Sequence, residues 1–215
     1  MASDAAAIAI RNYSFIKGRL AEAIVERLFI SLGMEVYPVG FEAQLPRVAT
    51  LRAHGKIKTS AIRRFEYGPD FVVCAEQENP KTYALYEIEV KFRQNGKIDL
   101  QELNKYEDPD MYFILIDETG IYCLKKAAVS TLEIKTVEIT KGRSAKGISF
   151  EQCPRLEDVK DFSFSRAQKN CITAFTGIVQ ASLGSFVSHG KFSKDLDEKY
   201  KGLIDLEIIN EFNDK

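Results

Sequence analysis

Histidine is nearly absent from this 215-residue chain, which has only His54 and His189. Mechanisms that need paired imidazoles, such as two-histidine ribonuclease chemistry or histidine-rich metal hydrolysis, lose their basis. The four cysteines, Cys74, Cys123, Cys153 and Cys171, are widely spaced and form no CxxC pair, so no structural zinc site is expected. No run of about 18 uncharged apolar residues occurs. The opening MASDAAAIAI lacks the basic start and full apolar stretch of a secretory signal. The expectation is a cytoplasmic protein, or a nuclear one in a nucleated cell. Neither sign of charge dominates: 30 Lys and Arg stand against 31 Asp and Glu, for a net charge of −1. Any nucleic-acid surface must therefore be local. The GxxxxGK[ST], GxGxxG and GxSxG signatures are missing. Catalysis, if present, rests on carboxylates and lysine.

What is there is ordinary globular composition, 45% hydrophobic and 28% charged. Phe15, Ile16, Leu20, Ile24, Val25, Leu28 and Phe29 recur at helical spacing and predict a helix over 13–32, stopped by Gly33. A short strand follows over 34–39. After Gly68-Pro69-Asp70, the apolar run 71–75 and the run 83–92 predict a hairpin. A helix over 100–107 and strands over 111–116 and 121–124 complete the order. Helices on both sides of such a sheet give an α/β sandwich of mixed strand direction. Further on, residues 130–139 read as a strand, 140–147 as a basic loop and 166–183 as a helix. The charged tail 194–215 carries enough apolar residues to pack.

Alternation within 83–92 puts Glu87, Glu89 and Lys91 on one face, and Tyr86, Ile88, Val90 and Phe92 on the other. Three ionised groups on a partly buried face are costly unless paired or bound to a cation. Upstream, residues 43–65 hold Arg47, Arg52, Lys56, Lys58, Arg63 and Arg64 and no acidic residue. Alone, such a stretch reads equally well as a solvated loop.

Pro69-Asp70 followed by Glu89-Val90-Lys91 resembles the PD-(D/E)XK nuclease motif of restriction enzymes, Holliday-junction resolvases and many repair nucleases. Lys17-Gly18-Arg19-Leu20-Ala21-Glu22 is similar to the first helix of the resolvase-like members, and the resemblance spans roughly residues 14–117. It implies a restriction-endonuclease-like core (αβββαβ) over 1–128, with a mixed central sheet flanked by helices. Residues 129–215 would be an α-rich C-terminal extension packed on that core. It also implies a divalent-metal-dependent DNA endonuclease. Asp70, Glu89 and the Val90 carbonyl would hold Mg²⁺, or Mn²⁺ in its place, and Glu22 would hold or position a second ion or its waters. Lys91 would orient or help deprotonate the attacking water. Burial would lower the Lys91 pKa and the carboxylates would raise it. The basic residues Arg47 to Arg64 would then contact DNA phosphates, with Lys141, Arg143 and Lys146 as a second contact. Homodimerisation follows by analogy alone.

Alternatives remain on the same residues. The pattern [DE]xK occurs four times, at Glu89, Glu133, Asp158 and Asp197. Pro109-Asp110 with Glu133-Ile134-Lys135 is the rival constellation, ranked second because the strand over 121–124 intervenes. Gln101 and Tyr106 miss the QxxxY spacing of some exonuclease branches by one residue and receive no role. A catalytically silent nuclease-fold module that binds DNA or a protein is the alternative function.

Overall fold

The structure is a computed structural model and describes residues 2–40, 68–76, 82–140 and 142–188. Helix α1 (Ala2–Ser31) starts well before the expected Tyr13; its first turns are alanine-rich, and alanine is the best helix former. Its buried stripe is Ala21, Ile24, Val25, Leu28 and Phe29. The helix ends in a Schellman turn: Gly33, at φ +82°, donates its N–H to the Ile30 carbonyl, and Met34 donates to Phe29.

A mixed five-stranded sheet packs on this stripe. Its strands are β1 (Glu35–Pro38), β2 (Phe71–Glu76), β3 (Tyr83–Phe92), β5 (Tyr112–Ile116) and β6 (Ile121–Lys125), adjacent in that order. Only the β3–β5 pair is parallel. Between them run β4 (Lys97–Asp99) and the one-turn helix α2 (Leu100–Leu103), capped by Asp99, which accepts from the Gln101 N–H at 2.8 Å. The expected helix over 100–107 is thus cut short at Asn104, and the chain then turns so that Tyr106 is buried.

Beyond residue 128 the α-rich expectation needs correction. β7 (Lys135–Thr140) and β8 (Arg143–Ser149) form a hairpin through Gly142, at φ +78°, and join β4 in a second sheet of order β4–β8–β7. The segment 140–147, read as a loop for its small and basic residues, is mostly strand β8. Gly147 is what lets β4 approach, since a Cβ there would lie 2.3 Å from the Ile98 carbonyl oxygen. Three short 3₁₀ turns follow, then helix α3 (Arg166–Ser188). It packs on α1, and Gln168 donates to the Leu32 carbonyl at 2.6 Å.

The five-stranded sheet separates two apolar clusters. One lies under α1 and α3 and includes Val73, Ile88, Ile114 and Phe162. The other lies under β4, α2 and the second sheet and includes Leu103, Tyr106, Phe113, Leu115 and Phe150. Among the described residues no helix is long and apolar enough to cross a membrane.

Candidate functional site

The β2–β3 ladder stops at Phe71 opposite Ile88. Asp70 and Glu89 are the next residues on the two strands where the hairpin opens, close enough for the Glu89 charge to act on the Asp70 carboxyl. Asp70 is fixed there by the Val90 N–H, which donates to its Oδ2 at 2.8 Å. In a strand the N–H and C=O of one residue project to the same edge. The Val90 carbonyl therefore faces the Asp70 side.

Glu89 is buried. Its Oε1 accepts from Lys91 Nζ at 2.5 Å and from the Tyr106 hydroxyl at 2.5 Å. Its Oε2 is buried with no hydrogen-bond partner. Among the described residues the other two acids buried as whole residues, Asp99 and Asp117, contrast with it, while Glu118 and Glu157, less buried overall, each also have one buried carboxylate oxygen without a partner. Asp99 caps α2 and meets Arg143 at 3.4 Å, while Asp117 accepts from Thr119 and Gly120 across a tight turn. An unpaired buried carboxylate oxygen is expensive, so Glu89 fits a site where a cation would complete its coordination.

Electrostatics point the same way. Burial, then the negative charge of Glu89, push the Asp70 carboxyl up to about 8, and Glu22 adds to the rise against the Val90 hydrogen bond. Two carboxylates that repel each other in a dry setting are relieved by a divalent ion. The donors are all oxygens, which suits Mg²⁺ or Mn²⁺ rather than a soft metal. Among the described residues no three His, Cys, Asp or Glu side chains converge as a ready-made cage.

Burial pulls the Lys91 amine down, but the adjacent Glu89 carboxylate and Tyr106 outweigh it and the ammonium is stabilised. This decides the balance left open by the sequence in favour of the charged form. Glu102 lies 3.8 Å from Lys91 Nζ and grips Arg93 through both carboxylate oxygens. Lys91 also lies 5.4 Å from the centre of the Tyr106 ring.

Glu22 approaches from α1. It is paired with Arg19 at 2.6 Å and lines, with Arg19, Glu26, Gly40 and Asp70, a cavity of about 250 Å³ beside the Asp70 carboxylate. The structure thus gathers Glu22, Asp70, Glu89, Val90 and Lys91. The six basic residues Arg47, Arg52, Lys56, Lys58, Arg63 and Arg64 lie outside the described residues, as does Lys141. Arg143 and Lys146 are exposed on β8. The rival constellation stays apart: Asp110 is exposed and paired with Lys125, while Glu133 and Lys135 are exposed and paired with each other.

Tyr106 is the site residue that sequence reasoning passed over, because its role depends on α2 ending at Leu103. Gln101, its expected companion, is exposed. The signal available was a tyrosine downstream of the ExK strand, without the spacing to assign it. No protein family matches the chain, and no curated protein or solved structure does either.

Proposed function

We propose that the protein is a divalent-metal-dependent nuclease that hydrolyses DNA phosphodiester bonds through a PD-(D/E)XK-type site on a restriction-endonuclease-like core. The carrying observation is the buried, partnerless Glu89 Oε2 beside the desolvated Asp70 at the mouth of the β2–β3 hairpin. The element order α1, β1, β2, β3, β4, α2, β5, which departs from the expected core by the short strand β4, and the parallel β3–β5 pair supply the fold-level support.

In this reading Asp70, Glu89 and the Val90 carbonyl hold Mg²⁺ or Mn²⁺, with Glu22 positioned for a second ion or its waters. When bound, such a cation would polarise the phosphate and make water a stronger nucleophile. Hydrolysis joins a water oxygen to phosphorus and breaks one P–O ester bond. Lys91, held as an ammonium, donates a hydrogen bond that orients the incoming water and offsets charge growing on the phosphate. Tyr106 holds the Glu89 carboxylate in place, and the Val90 N–H does the same for Asp70. The basic residues Arg47 to Arg64 precede Asp70 in the chain, and in this reading their role is to neutralise duplex phosphates.

A DNA panel of supercoiled, linear, single-stranded and four-way-junction substrates tests this with Mg²⁺, Mn²⁺ or EDTA. Metal-dependent cutting is expected; salt-sensitive binding without cutting in any metal would reject it. That second result would favour a silent binding module, a reading to which the lack of a ready-made three-ligand cage among the described residues gives some weight.

A further inference from the structure

Among the described residues, one face of the five-stranded sheet is covered over only half its width. The residues paired with Glu89 and Lys91 on β5, Phe113 and Leu115, are fully buried under the second cluster. On the same face, the register aligns Tyr37 of β1 with Val72 of β2, and Cys74 of β2 with Leu85 of β3. None of these is buried. Leu85 is 70% exposed, and Tyr37, Tyr83 and Leu85 make up three of the seven large exposed hydrophobics among the described residues. Such clustering marks an interaction surface.

Among the described residues the charged groups on the face positions of β1, β2 and the first half of β3 have one sign. Glu35, Glu76 and Glu87 occupy the remaining positions of this face, Asp108 lies within hydrogen-bond reach of Glu87, and no Lys or Arg stands among the face positions of β1, β2 and the first half of β3. DNA is repelled by such a surface. A second copy meeting it face to face would oppose the same carboxylates. On the reverse side α1 packs against β1 and β3, and helices are the usual cover of a sheet face.

We propose that the bare face of β1, β2 and the first half of β3 docks an amphipathic helix of a partner protein, apolar on one side and flanked by Lys and Arg. Leu85 and Tyr37 anchor its apolar side, and Glu35, Glu76 and Glu87 receive its cations. This site is independent of the nuclease assignment.

The test measures alkylation of Cys74 in the full chain, by peptide mass spectrometry, with a synthetic Leu/Lys amphipathic helix as probe and its Leu/Glu counterpart as control. The Leu/Lys peptide is expected to slow alkylation of Cys74 about tenfold, with Leu85→Asp weakening its binding about tenfold. Leu85→Asp adds negative charge, so general attraction of a basic peptide would move the other way. Because Leu85 is exposed, its replacement leaves the fold intact, checked by an unchanged melting temperature. Three results would overturn the proposal: no protection by Leu/Lys peptide, equal protection by Leu/Glu peptide, or protection that appears with protein concentration alone and so identifies a second copy as the cover.

Discussion

Glu89 with Lys91 and Glu133 with Lys135 are the same two groups at the same spacing, and both form ion pairs, at 2.5 Å and 2.8 Å. Their surroundings separate them. The Glu89 and Lys91 side chains are 6% and 16% exposed, against 69% and 57% for Glu133 and Lys135. In water the second pair is worth at most about 1 kcal/mol and leaves no group in need of a partner. In the interior the first pair carries Tyr106 and an orphan oxygen, and it sits beside Asp70. A tripeptide pattern becomes a candidate site through what its strand packs against.

The largest effects should come from removing the buried acids. Asp70→Ala or Glu89→Ala is expected to lower Mg²⁺-dependent cleavage by about 10³-fold or more, on the scale of losing a group that stabilises transition-state charge, while Glu133→Ala leaves it unchanged. Steady-state cleavage assays on folded variants check this. Lys91→Met should cost about 10²-fold, within the range of losing one donor that stabilises transition-state charge, and Lys135→Met nothing measurable.

Tyr106→Phe sharpens the comparison, since only the buried glutamate has such a support. Loss of a hydrogen bond to a charged group is worth roughly 1.5–3 kcal/mol. Cleavage should fall about tenfold, with more Mn²⁺ needed for half-maximal rate, as expected when an outer support of a metal ligand is lost. An unchanged metal requirement would make Tyr106 a packing residue only.

Asp70 also gives the buried region a pH signature. Its carboxyl is pushed up to about 8 in the folded protein, from 3.8 for an ordinary aspartate, so the folded state binds that proton more tightly. The stability this group contributes is complete below about pH 4 and is lost as pH rises through 8. In EDTA, Asp70→Asn should match wild type near pH 4 and exceed it at pH 9 by roughly 1–3 kcal/mol, read as urea midpoints. The smallest effect belongs to the exposed pair: Glu133→Ala should alter stability by less than about 0.5 kcal/mol.

The sheet was legible because β2, β5 and β6 are short continuous apolar runs while 83–92 alternates, and that alternation placed Glu89 and Lys91 on one face without knowledge of the neighbours. Asp70 was legible as an acid opening an apolar strand, whereas helical spacing alone makes Glu22 a surface residue and only the resemblance of its helix to the resolvase-like one singled it out. Tyr106 was not, since a turn at Asn104 aims it and no periodicity reports that turn. Strand β8 was hidden because Ser144, Ala145 and Gly147 carry weak strand preference, and Gly147 is required by the close passage of β4. The bare half-face was likewise unreadable, because strand alternation says which residues share a face but not where its cover ends.

The most direct test of the central claim, that the buried constellation and not its exposed counterpart binds a divalent cation, is a calorimetric Mn²⁺ titration of wild type, Asp70→Ala and Glu133→Ala. The account predicts binding by wild type that is retained in Glu133→Ala and abolished in Asp70→Ala. Undiminished binding in Asp70→Ala, or loss in Glu133→Ala, would contradict it.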